Sequence, residues 1–158
     1  MKKYLTFTSI VLLILTSSLF LSSCTEEKII SPSGDFAIVY NKYATIEANQ
    51  WRWSELNGRY EASVSYPELQ KDEYDDGITV GNIFTINNNN VEKLHPLPYI
   101  KTWVDGNSGL LYTETISCAL SFDRKAVEFY IETSDKARDD STLDEYEFKV
   151  AIIVNLRY

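Results

Sequence analysis

Few side chains in this sequence have the types and spacing that catalysis needs. His95 is its only histidine, so a histidine-dependent triad or a multi-histidine metal site would have to depend on this residue. Cys118 could act as a nucleophile, but it lies between Ile116 and Leu120 in an alternating apolar pattern, where a thiol is usually inert packing. The sequence therefore predicts no enzyme. A pocket that joins His95 to carboxylates is the observation that would revive one.

Two further stretches resemble chemical motifs without meeting their spacing. Gly106–Gly109 reads GNSG, which lacks the G-x-S-x-G spacing of a nucleophile elbow and is typical of a hairpin loop. Asp72–Gly77 reads DEYDDG and clusters carboxylates before a glycine, as a calcium loop does. Tyr74 and Ile83 then occupy positions where an EF-hand requires oxygen ligands. We therefore expect a solvated acidic turn, with no metal and no cofactor.

Aromatic side chains offer a different chemistry, the stacking of sugar rings. Trp51 and Trp53 are two residues apart, so both indoles would point the same way in an extended chain. Trp103, beside Asp105 and Gly106, is the tryptophan best suited to exposure. Burying an indole removes about 150–250 Å² from water, so the core interpretation of the pair is favoured over a sugar platform. Trp51, Trp53 and Trp103 are nevertheless the candidate ligand-contacting aromatics.

Period-two alternation predicts the elements that would position these side chains. The clearest example is the run from Tyr146 to Leu156, where apolar residues alternate with charged and polar ones. The predicted strands are 36–48, 60–66, 78–86, 112–122, 126–133 and 146–156. A helical turn is predicted only at 66–74, where Pro67 suits the first helical position. The pattern predicts an all-β domain, an antiparallel two-sheet β-sandwich of about seven strands, because each sheet has one apolar face to bury.

Composition supports a single domain of this kind and excludes one class of partner. A hydrophobic content of 44% over 158 residues is enough for a real core. The formal net charge of −8 and the lack of a basic stripe disfavour binding to the phosphate backbone. We therefore exclude nucleic acid as a partner.

The N-terminal residues predict export. Lys2 and Lys3 precede the apolar segment Tyr4 to Leu21, which is the layout of a secretory signal. The uninterrupted apolar run covers only residues 10–15, whereas a membrane span needs about 20. The predicted organisation is a signal peptide at 1–23, a lipidated N-terminus and short tether at 24–34, and a β-sandwich domain at 35–158.

The end of the signal carries the most specific motif. Leu21-Ser22-Ser23-Cys24 resembles the lipobox of bacterial lipoproteins, which implies that Cys24 is lipidated and that the membrane is a partner through this anchor. Glu26-Glu27-Lys28 is similar to the acidic export signal of Bacteroidota surface lipoproteins, and is otherwise the solvated start of a tether. The resemblance implies an outer-membrane lipoprotein, with exposure at the cell surface as a further expectation.

The domain itself resembles the small uncharacterised β-sandwich domains of Bacteroidota lipoproteins over about residues 37–154. The landmarks are Trp51 and Trp53, Tyr60–Tyr66 before Pro67-Glu68-Leu69, the segment 77–86, and Leu97-Pro98-Tyr99. Asp140-Ser141-Thr142 resembles the three-residue acceptor for O-glycosylation, with Ser141 as the modified residue. We expect a non-catalytic binding or structural module of the cell envelope, with envelope proteins or glycans as partners. The alternative is a carbohydrate-binding accessory lipoprotein that uses exposed aromatic residues.

Overall fold

The computed structural model describes residues 24–30, 36–87, 89–104 and 109–156, with only the backbone described for 24–30, 36, 155 and 156. These residues form ten β-strands, one short α-helix and two single turns of 3-10 helix. The strands are β1 (Cys24–Ile30), β2 (Phe36–Ile46), β3 (Arg52–Ser54), β4 (Arg59–Ser65), β5 (Ile78–Ile86), β6 (Glu92–Pro96), β7 (Tyr99–Val104), β8 (Leu111–Ser121), β9 (Ala126–Thr133) and β10 (Tyr146–Leu156). The helix α1 is Lys71–Asp75, and the 3-10 turns are Ala48–Gln50 and Asp140–Thr142.

The strands form two five-stranded sheets in which every paired neighbour is antiparallel. The first sheet has the order β1-β2-β10-β5-β6, and the second has the order β3-β4-β9-β8-β7. The predicted all-β antiparallel sandwich is therefore confirmed, with ten strands in the described residues where about seven were expected. β10 and β9 are the central strands, while β1, β6, β3 and β7 are edges.

The core lies between the sheets and is built from the alternating apolar residues that the sequence indicated. Phe148 of β10 stacks on Phe129 of β9 with ring centroids 4.3 Å apart, and the two side chains are 1% and 0% exposed. Ile83 of β5 and Ile116 of β8 are also fully buried. Burial of each side chain of this size contributes about 1.5–3 kcal/mol, so these inner strands, each paired on both sides, contribute much of the stability of the sandwich.

The predicted helical turn is shorter in the structure, and its start has a local cause. α1 begins at Lys71, because the Gln70 backbone N–H donates to Glu73 Oε2 at 2.8 Å in a capping box. Glu73 is buried, whereas Asp72, Asp75 and the following Asp76 are exposed. The acidic stretch 72–77, expected to be a solvated turn, therefore forms most of α1 and the residues that end it.

β1 differs from the sequence prediction for the N-terminal segment. Residues 24–34 were expected to be a tether, but Cys24–Ile30 pairs along β2, with Cys24 opposite Lys42 and Ile30 opposite Phe36. An edge strand satisfies backbone N–H and C=O groups whatever its side chains, so a polar segment can take this role. Residues 1–23, predicted as the signal peptide, and 31–34, the remainder of the tether, lie outside the described residues. The first sheet therefore begins at the candidate lipidation residue.

Candidate functional site

A cleft of about 620 Å³ lies between β6 of the first sheet and β7 of the second. Its walls come from the ends of β5, β6 and β7 and from the start of β10 with the residues before it. Small-molecule sites in proteins usually measure about 300–1,000 Å³, so the cleft has the size of a ligand site. It leads from solvent into the space between the two sheets.

Strand register decides which side chains face the interior at this cleft. His95 pairs with Ile83, and Tyr99 pairs with Ile116. Both partners are fully buried, and directly paired residues share a face, so His95 and Tyr99 point to the core side of their sheets. Their ring centroids are 5.0 Å apart with the planes tilted by 38°. A partly buried aromatic pair therefore forms one wall of the cleft.

Lys101 lies on the same face of β7, opposite Glu114 of β8. Its Nζ donates to Tyr146 Oη at 2.8 Å and lies 4.4 Å from the centroid of the Tyr146 ring. Burial lowers the pKa of Lys101, and the carboxylates of Glu114 and Asp144 partly offset this effect. Burial also raises the pKa of Tyr146, and Glu114 and Asp144 add to the rise. The cleft therefore contains the partly desolvated ammonium group of Lys101, which lies over the ring of Tyr146. We call this ring the tyrosine floor of the cleft.

Glu114, the residue paired with Lys101 on the neighbouring strand β8, helps to hold β7 in place. It is 2% exposed, and its carboxylate accepts hydrogen bonds from Trp103 Nε1 at 2.7 Å and from Thr142 Oγ1 at 3.3 Å. Trp103 thus satisfies one carboxylate oxygen, while Thr142 shares its single hydroxyl proton between the other oxygen and the Asp139 carbonyl at 3.0 Å. These bonds tie β7 and the 140–142 turn to β8, and they thereby hold the backbone that carries Lys101.

The mouth of the cleft is mainly negatively charged, whereas the charged group in its interior is positive. Exposed charged residues line it, namely Glu92, Lys93, Asp144, Glu145 and Glu147. With Lys101, the lining has two lysines against four carboxylates, a formal charge of −2 with His95 neutral. Acceptors therefore concentrate at the rim, whereas the ammonium of Lys101 is the deeper charged group.

The cleft brings His95 together with carboxylates, but Cys118 is not among its lining residues. The Cys118 side chain packs against the core as predicted, and a methyl group added at Gly81 would lie 2.4 Å from its Sγ. Burial raises the pKa of Cys118 to about 11, so the thiol stays protonated at neutral pH. Among the described residues, His95 makes a ring contact with Tyr99 and no hydrogen bond or ion pair to a carboxylate.

The tryptophan pair does not form an exposed platform. Trp51 is 3% exposed and meets the Tyr146 ring edge-on, with centroids 6.2 Å apart. Trp53 is partly buried and packs edge-on against Tyr60 at 5.0 Å. Both line a second groove of about 430 Å³, so they share a side of the chain as expected. The preference for a core position is confirmed for Trp51, which stands behind the tyrosine floor of the cleft.

The polar groups of the second groove already bind one another. Arg138 donates to both oxygens of Asp140, at 2.9 and 2.7 Å, and Tyr60 Oη donates to Asp140 Oδ1 at 2.7 Å. Arg138 and then Tyr60 lower the pKa of Asp140 to about 2. The Asp140 carboxylate of this groove is therefore already satisfied by Arg138 and Tyr60.

The remaining candidate residues are dispersed. Trp103 is 36% exposed, but it lies on β7 where a turn-rich stretch was expected, and its N–H is used by Glu114. Ser141 is exposed in the 140–142 turn, where its hydroxyl donates to Asp139 Oδ1 at 2.6 Å, and its O-glycosylation stays a prediction. Residues 105–108, with most of the GNSG motif, and the side chain of Cys24 are outside the description. Across residues 24–30, 36–87, 89–104 and 109–156, no three His, Cys, Asp or Glu side chains are grouped to hold a metal ion.

Sequence reasoning missed Lys101, Glu114 and Tyr146 as a connected site, although one signal was present. Glu114 falls on the apolar face of its strand, between Tyr112 and Ile116. A carboxylate on a buried face must have donors nearby, so this position marks a polar site inside the sandwich.

Comparisons of the chain with protein-family models, with curated proteins and with solved structures find no match.

Proposed function

We propose that this protein is a non-catalytic binding module of the cell envelope, which holds a small ligand in the cleft between β6 and β7. The observation that carries the proposal is the position of Lys101, a partly buried ammonium that faces a cleft of about 620 Å³ with aromatic walls. Ligand sites are typically concave, lined by aromatic side chains and given specificity by a few polar groups. His95 shares the cleft with carboxylates but makes no hydrogen bond or ion pair to one in the described residues, and we therefore propose binding rather than catalysis.

The first test is a ligand screen by NMR on the full-length protein with labelled tyrosines. Mixtures of neutral and acidic saccharides, amino acids and nucleotides are added, and the Tyr99 and Tyr146 resonances are followed. We expect shifts at these two tyrosines, because they form the wall and the floor of the cleft. Tyr99→Ala should weaken binding about ten-fold, the loss of about 1.4 kcal/mol of stacking.

Tyr43→Ala is the matched control for this screen. Tyr43 is 40% exposed and lies near Lys149, away from the residues that line the cleft. This variant should bind like the wild type. If no compound perturbs the cleft tyrosines, or if ligands act on Trp53 instead, the assignment of the binding site is wrong.

The envelope part of the proposal depends on Cys24. A thioether-linked diacylglyceryl group and an acylated amine would bury many methylenes in the bilayer at about 0.8 kcal/mol each, which would hold the domain at the membrane. Among the described residues, no helix has the length and apolar character needed to cross a membrane. Because β1 starts at Cys24, the anchor would be attached directly to the edge of the first sheet. We further propose an outer-membrane location with the domain at the cell surface.

Cys24→Ala should abolish lipidation and leave an uncleaved or mislocalised protein. Metabolic labelling with a radioactive fatty acid, followed by membrane fractionation, measures this directly. Cys118→Ala is the control, since it removes the only other cysteine and should leave labelling intact. Equal labelling of Cys24→Ala and the wild type would refute the lipoprotein proposal.

A further inference from the structure

We propose that the ligand of the cleft is a saccharide with a single carboxylate, bound with that carboxylate at Lys101 and with its ring against the His95–Tyr99 pair. The inference rests on the proposed function, because it takes the cleft to be the binding site. The sugar would then contact His95 of β6 and Tyr99 of β7, rather than the tryptophans that the sequence suggested.

Lys101 gives the reason for the carboxylate. An ammonium group has three donors, and within the described residues its one hydrogen bond goes to Tyr146 Oη at 2.8 Å. The group is partly buried on the core side of β7, so water solvates it incompletely. A ligand carboxylate placed here would accept the remaining donors in charge-assisted hydrogen bonds, which are about twice as strong as neutral ones.

The wall and the rim give the reason for the saccharide. A sugar ring has an apolar C–H face, which can stack on the rings of His95 and Tyr99, and an edge of hydroxyl groups. Each hydroxyl both donates and accepts. The rim supplies both partners, since Asp144 and Glu145 accept and Lys93 donates. A mixed rim of this kind suits hydroxyls better than it suits a ligand of one charge sign.

Charge limits the ligand to one carboxylate. The lining has a formal charge of −2 and the chain has −8, so nucleotides, polyphosphates and heavily sulfated glycans would be repelled on approach. A cationic ligand would meet Lys101 at the inner end, and an apolar one would leave the remaining donors of that ammonium without acceptors. One negative group on an otherwise uncharged polyol keeps the repulsion small and avoids the other two penalties.

The test uses full-length protein and a matched pair of ligands, glucuronosyl-xylose and its methyl ester. Titration calorimetry should show that the acid binds about ten-fold more tightly than the ester, a difference of about 1.4 kcal/mol. Lys101→Met should remove this preference. Lys149→Met is the control, because Lys149 also lies near a tyrosine ring, at 5.8 Å, but outside the cleft.

A pH series on the wild type gives a readout that does not depend on the variant folding. The acid binds the protonated amine, so its affinity should fall as pH rises through the lowered pKa of Lys101, below the range of an exposed lysine. Neutral glucosyl-xylose, which has no ester to hydrolyse in alkali, is the comparator here, and its affinity should stay constant. The groups facing that amine are Tyr146, Glu114, Asp144 and Trp103. Of these, Tyr146 keeps its hydroxyl proton over this range, because burial raises its pKa.

The outcomes separate this inference from the proposed function. Equal binding of acid and ester, or binding only of compounds that are not saccharides, would overturn the inference while leaving the cleft as a binding site. Release of free xylose would contradict the non-catalytic assignment. Binding of the acid with a preference that Lys101→Met abolishes and Lys149→Met preserves would establish the inference.

Discussion

Trp51→Ala is expected to lower the free energy of unfolding by about 3–5 kcal/mol, the range for truncating a buried aromatic side chain. Trp51 is 3% exposed and belongs to the core cluster, where its ring meets Tyr146 edge-on. The substitution would leave a cavity that the rigid β-sandwich can fill only in part. Urea denaturation monitored by circular dichroism measures the change.

Two variants show whether burial is the cause. Trp53→Ala should cost less, because Trp53 is only partly buried. Trp51→Phe should also cost less than Trp51→Ala, since it keeps most of the apolar surface and removes an indole N–H that is buried without a hydrogen-bond partner in the described residues. A Trp51→Ala protein as stable as the wild type, with saccharide binding lost, would restore the tryptophan platform.

The inner strands, which are paired on both sides, could be predicted because burial imposes a strict pattern on them. β5, β9 and β10 begin and end at the predicted residues. Each of these strands is paired on both sides and has one face in the core, so a shift of one residue would expose a whole apolar face. Tyr146, Phe148, Val150, Ile152 and Val154 are all buried, as their alternation predicts.

The edge strands lack this constraint, and they were missed. β3 has only three residues, and β6 carries Glu92 and Lys93 with exposed side chains. An edge strand is held by backbone pairing on one side, which leaves little trace in the order of side chains. β1 was interpreted as a tether for the same reason.

The candidate cleft was missed because edge strands build it. His95 was recognised as chemically distinctive, but its neighbours come from β7 and β10, and no local pattern reports that these strands meet. Lys101 and Glu114 are 13 positions apart and become opposite residues only when β7 pairs with β8. Their pairing depends on the length of the connecting segment and on the register, which the alternation of either strand does not determine.

Gly77→Ala should destabilise the domain by about 3 kcal/mol, the upper end of the range for overpacking. A methyl group at Gly77 would lie 2.2 Å from the carbonyl oxygen of Glu73 and 2.9 Å from Ile152 Cγ2. The carbonyl belongs to the backbone of α1, so it cannot rotate away as a side chain would. Relief would require α1 to move from β10 or the start of β5 to leave the sheet, and thermal and urea unfolding would both detect the loss.

Gly109→Ala is the matched control, because a methyl group there has no atom of the described residues within 4 Å and meets the cost of a φ of +70°, about 1 kcal/mol. Equal effects of the two substitutions on stability would contradict the close approach of Gly77 to α1.

A calcium titration tests why a glycine ends the acidic stretch 72–77. If the glycine is there for close approach to α1, millimolar calcium should leave the melting temperatures of the wild type and of Gly77→Ala unchanged. A rise in the wild-type melting temperature with calcium would show that the carboxylates before Gly77 bind the ion. Equal stability of Gly77→Ala and Gly109→Ala would show that the packing of α1 against β10 is looser than its contacts imply.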